Sequence, residues 1–97
     1  MPNSQPLAAL LQSAIADELR HISDLLERLA EVLVGDEHFA SKYLDQLQAF
    51  DLLVQCTHES AAVLDRLSAG DCAHDAVAPV RLGHIQDRLR AALAQAA

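Results

Sequence analysis

The sequence predicts an all-α fold, on three observations. Alanine (18 residues) and leucine (17) make up more than a third of the 97 residues. Aromatic residues amount to only 3%, and glycine and proline to three each. Apolar positions recur at spacings of three and four over long stretches, the period of a helix face. A β-sandwich or barrel needs β-branched and aromatic residues that are scarce here, and the 52% apolar fraction is too high for a disordered chain. The length allows a single helical domain, residues 1–97, with one modest core.

The first helix is expected over about residues 6–34, with Pro6 suited to its first turn. Ile15, Leu19, Ile22, Leu26, Leu29 and Leu33 are spaced 4, 3, 4, 3 and 4, a heptad seam, and Leu25 and Val32 widen it. Asp24 and Arg28 form a favourable i,i+4 pair outside the seam. Gly35 is expected to end the helix in a left-handed cap. Asp36 suits the cap of a second helix over 37–69, and Glu37 its first turn. Its seam is Ala40, Tyr43, Leu47, Phe50, Val54, Thr57, Ala61 and Leu64, and Gly70 stops it. Two helices joined by one or two residues must fold back as an antiparallel hairpin, each arm roughly 40–50 Å long. Residues 70–78 read as a loop, and Pro79 as the start of a shorter third helix over 79–96 with a stripe of Leu82, Ile85, Leu89 and Leu93. Gly83 weakens that helix by about 1 kcal/mol relative to alanine.

A hairpin alone leaves part of its apolar surface open. The third helix is available to cover one side and a second copy the other, which predicts a homodimeric four-helix bundle. Leu7 to Ala16, without a charge, most needs that cover.

Charge excludes several functions. Fourteen acids against seven bases give a net charge of −7, and Lys42 is the single lysine. A phosphate-tracking nucleic-acid surface needs clustered Arg and Lys, and so does an anionic membrane; neither partner is expected. No apolar run reaches the ~20 residues of a membrane span. Leu7 to Ala16 lacks the basic residues that precede an export signal, so a cytoplasmic protein with reduced Cys56 and Cys72 is the expectation.

The second helix carries a polar stripe, Gln48, Asp51, Gln55 and His58, spaced 3, 4 and 3 beside the core seam. An ordinary solvated flank is the plain reading of such a stripe. Asp51-Leu52-Leu53-Val54-Gln55 supports a sharper one. This Asp-x-x-x-Gln on a long helix resembles the active motif of CheZ-type chemotaxis phosphatases and the corresponding motif of NarX-type sensor kinases. Both families use a dimeric helical hairpin to remove phosphate from an aspartate of a response-regulator receiver domain. The kinases place a phosphorylatable histidine immediately before the aspartate; Phe50 stands there in this chain, so the resemblance implies phosphatase without kinase activity.

By that resemblance Gln55 orients the attacking water and Asp51 holds the partner's lysine. Gln48, His58 and Leu52 are candidate partner contacts. No cofactor belongs to the chain itself, since magnesium comes with the receiver. The spacing suits the chemistry: an amide both donates to and accepts from water without titrating, and a carboxylate one turn earlier lies on the same face.

Two readings of another kind stand beside it. One is a non-enzymatic dimeric interaction module, an adaptor that offers an apolar groove to a partner helix. The other is phosphotransfer through His21, whose Glu18-Leu19-Arg20-His21 resembles a phosphoacceptor box but lacks the residues that follow one. Cys72, His74 and Asp75 are zinc-type ligands in the 70–78 loop, one short of the four that a structural site needs, and no metal is assigned.

Overall fold

A computed structural model describes residues 4–95, with side chains from Leu7 onward. Among these residues the fold is all-α: α1 Ser4–Val34, α2 Glu37–Lys42, α3 Leu44–Ser68, α4 Ala73–Val77 and α5 Gly83–Gln95. Helices α1 and α3 pack along each other as the expected antiparallel pair. The whole is a rod of 59 × 25 × 17 Å. No described helix is long and apolar enough to cross a membrane.

The hairpin closes on small side chains. Ala16 and Ser23 of α1 and Ala61 of α3 are essentially inaccessible. Such residues let two backbones approach closely, which is why they hold the centre of the contact and larger ones sit beside it. Thus only half of the expected α1 seam faces α3. Leu19, Leu26 and Leu33 are half-buried, whereas Ile15, Ile22 and Leu29 remain exposed. A 3,4 spacing marks an apolar face without saying which of its edges meets the partner helix. The seam of α3 follows expectation from Leu47 to Leu64, with Phe50, Val54 and Thr57 half-buried.

Polar ties fix the register. Arg20 donates to Asp65 across the hairpin and to Asp17 at 3.0 Å on its own helix. The Ser68 hydroxyl donates to the Ala9 carbonyl at 2.9 Å.

The second helix departs from expectation at Tyr43, which is exposed and leaves the helical region at φ −119°, ψ 35°. Hydrogen bonds continue on both sides, Tyr43 N to Phe39 O at 2.9 Å and Leu47 N to Tyr43 O at 3.0 Å. The break therefore bends the path without severing it. α2 touches the end of α1, α3 runs back along α1, and the bend joins the two courses. The Phe39 and Tyr43 rings stack across it at 4.6 Å. Asp36 caps α2 as expected, its carboxylate accepting from Phe39 N at 3.1 Å. Gly35 does not take the left-handed cap conformation: Gly70 is the one described residue with positive φ, at 105°. Asp36, extended at φ −96°, turns the chain instead.

Gly70 closes α3 in a Schellman motif. Asp71 N donates to Arg66 O at 3.0 Å and Gly70 N to Leu67 O at 3.1 Å. The expected loop after it contains α4, whose Ala76 and Val77 are buried together with Val80 and Ile85. This second small core is seated by Arg66, which donates from Nε to Ala76 O at 2.7 Å. The last helix begins at Gly83 and not at Pro79, because the intervening backbone is bonded elsewhere. Val80 N reaches Val77 O at 3.0 Å, and Arg81 N reaches the Glu59 carboxylate at 2.8 Å. α5 packs on α4; its expected end at residue 96 lies outside the described residues.

Candidate functional site

The polar stripe of α3 lies where the spacing places it. Gln48, Asp51, Gln55 and His58 are all exposed, while Val54, the neighbour of Gln55, is turned toward α1. Asp51 and Gln55 stand one helical turn apart, with their Cβ atoms about 5–6 Å from each other. Leu52 is 43% exposed and continues the same flank beside Gln55.

Two depressions flank the pair. The first, about 500 Å³, lies between α1 and α3 and has Asp51 on its wall with Glu27, Glu31 and Phe50. The second, about 520 Å³, includes Gln55, His58 and Glu59 on α3, and Pro79, Arg81 and Leu82 from the segment before α5. Arg66 lines it as well. Thus Asp51 and Gln55 line separate hollows of different character, one acidic and one bearing two arginines. His58 is less free than expected of a partner contact: its Nε2 lies 3.7 Å from Glu27 Oε1.

Arg66 and Arg81 were not among the expected site residues, whereas Glu59 stands beside His58 as the sequence suggests. Gln55, Glu59, Ala62 and Arg66 follow one another by 4, 3 and 4, so the stripe extended by two turns reaches Arg66. Arg81 is brought beside it only by the tertiary fold.

The remaining candidates lie elsewhere. His21 is exposed on α1, and His74 and Asp75 are exposed on α4, with Cys72 at its cap. Among the described residues no three His, Cys, Asp or Glu side chains come together as a metal site requires.

The chain matches no family model, and no curated protein or solved structure matches it significantly. The functional reading therefore rests on the residues and their geometry.

Proposed function

We propose that the chain binds a response-regulator receiver domain on the outer flank of α3 and promotes hydrolysis of its aspartyl phosphate. The observation that carries this reading is the joint exposure of Asp51 and Gln55 one turn apart on a long helix. An aspartyl phosphate is an activated acyl phosphate, and a receiver holds it with its own divalent metal and lysine. What the reaction lacks is a water held in line with the P–O bond to be broken. The Gln55 amide accepts from and donates to that water, and Asp51 pairs with the receiver's lysine and sets the register. Water oxygen bonds to phosphorus, the bond to the aspartate oxygen breaks, and inorganic phosphate and free carboxylate leave. Helix α3 supplies the placement: it is seated on α1 by the buried Ala61 and the Arg20–Asp65 tie, and carries the two side chains one turn apart.

The test is loss of label from phosphorylated receiver domains of the source organism, with and without the protein. Acceleration that vanishes in Gln55→Ala supports the assignment. Acceleration that survives in that variant rejects the role of Gln55.

A second reading, a non-enzymatic helical interaction module, is favoured by the exposed leucines of α1. Binding to a receiver with no change in its dephosphorylation supports it over the first.

A further inference from the structure

The chain carries twice as many acids as bases, yet Arg66 of α3 and Arg81 of the segment before α5 line one hollow of about 520 Å³. Neither guanidinium is in an ion pair among the described residues, whereas Arg20 meets both Asp17 and Asp65. The carboxylate that shares the hollow, Glu59, is engaged otherwise: its Oε1 accepts from the backbone N of Arg81 at 2.8 Å. His58 has its Nε2 3.7 Å from Oε1 of Glu27, which lines the other hollow.

Arg66 is held on one side. Its Nε donates to Ala76 O at 2.7 Å, which fixes the guanidinium. Its Nη2 is shut off from solvent and has no hydrogen-bond partner among the described residues. Arginine stays protonated throughout the physiological range, so burial does not neutralise it. A charge withdrawn from water without a counter-charge is costly, and an anion beside it offsets that cost. Arg81 is exposed and adds a second guanidinium from a separate element. The two arginines outweigh Glu59, so the lining is net positive in a chain of net charge −7.

We infer that this hollow binds a phosphate group carried on a small organic molecule. The forked guanidinium matches phosphate oxygens. A phosphate group brings about −1.5 to −2 charge near neutral pH and three acceptor oxygens. That suits two guanidiniums from separate elements better than a planar carboxylate of single charge. The surrounding acids repel an extended polyanion, which leaves a small ligand. The hollow falls in the size range of small-ligand sites, and Pro79 and Leu82 give it an apolar side for an organic frame. Neither arginine takes part in the proposed hydrolysis, and no receiver domain enters the test.

The experiment is a titration of the chain at fixed ionic strength with glycerol phosphate, inorganic phosphate and succinate, followed by heteronuclear NMR. Saturable shifts of the Arg66 Nε–H and of the Arg81 and Leu82 amides are expected, tightest with glycerol phosphate and weakest with succinate. Tighter binding of inorganic phosphate overturns the organic frame, and succinate binding as tightly as glycerol phosphate overturns the choice of phosphate. Arg81→Ala leaves the backbone bond to Glu59 in place. It is expected to weaken glycerol phosphate about 10-fold or more, as loss of a charged hydrogen bond does. Glu59→Gln keeps an oxygen for Arg81 N while removing the opposing charge, and is expected to tighten binding several-fold. Arg28, exposed on α1 and outside the hollow, serves as the control. No saturable shift with either phosphate, or equal losses in Arg81→Ala and Arg28→Ala, contradicts the site.

Discussion

Arg20 of α1 and Asp65 of α3 meet across 45 residues of sequence, and the guanidinium also reaches Asp17 at 3.0 Å. The interhelical pair stands at the edge of the hairpin with side chains 40% and 44% exposed. Solvent screening keeps such a pair small, about 0.2–1 kcal/mol. A double-mutant cycle with Arg20→Ala and Asp65→Ala is expected to give a coupling in that range by urea denaturation. The coupling should shrink at high salt, because partly exposed charges are screened.

Ser23 offers a sharper test of how the hairpin is packed. It is fully buried against α3, and its hydroxyl has no hydrogen-bond partner among the described residues. Removing an unpaired buried polar atom without leaving a large hole relieves a desolvation cost of about 1–3 kcal/mol. Ser23→Ala is expected to raise the denaturation midpoint. Ser23→Leu is expected to lower the midpoint, at a stability cost of about 1–3 kcal/mol, as overpacking does in tight cores. A destabilised Ser23→Ala contradicts this packing.

Two glycines are expected to respond in opposite ways. Gly70 sits at φ 105° and closes the Schellman motif, so Gly70→Ala places a side chain in the left-handed region at a cost of about 1–2 kcal/mol. Gly35 has no such backbone, and a methyl group there meets only carbonyl oxygens at 3.4 and 3.5 Å. Gly35→Ala is expected to be neutral or stabilising by up to about 1 kcal/mol through the unfolded chain. Thermal melts of the two variants check the contrast.

The second core gives a further prediction. Ile85, 6% exposed, is packed where α5 meets α4. Ile85→Ala is expected to cost about 2–5 kcal/mol at a fully enclosed site, and here the loss should fall mainly on α4 and α5. Hydrogen exchange should quicken in residues 73–95 while α1 and α3 keep their protection. Uniform loss of protection along the chain contradicts a separable second core.

The helical hairpin was legible in the sequence because the 3,4 spacing of Leu47, Phe50, Val54 and Ala61 is itself the structural cause. The same spacing misplaced Ile15, Ile22 and Leu29, since α1 carries apolar residues around more of its circumference than one partner helix covers. The contact fell to Ala16 and Ser23, small residues that hydropathy alone ranks low. The bend at Tyr43 has no proline or glycine to announce it. The late start of α5 depends on Glu59 taking the Arg81 amide, a contact 22 residues apart in sequence. For the site, Asp51 and Gln55 could be placed outside the seam by counting residues, whereas the groove with Arg66 and Arg81 required the chain to return after Gly70.

The most direct measurement on the proposed activity is the dephosphorylation rate of a receiver domain under equal amounts of wild type, Gln55→Asn and Gln48→Ala. Gln55→Asn keeps the amide but shortens its reach by one methylene, and a displacement of about 1 Å in a positioned reactant costs on the order of 10²-fold in rate. The expected result is near-complete loss of acceleration in Gln55→Asn, with Gln48→Ala retaining most of it. Equal acceleration by all three proteins, or none by the wild type on any receiver of its own organism, contradicts the assignment of Gln55.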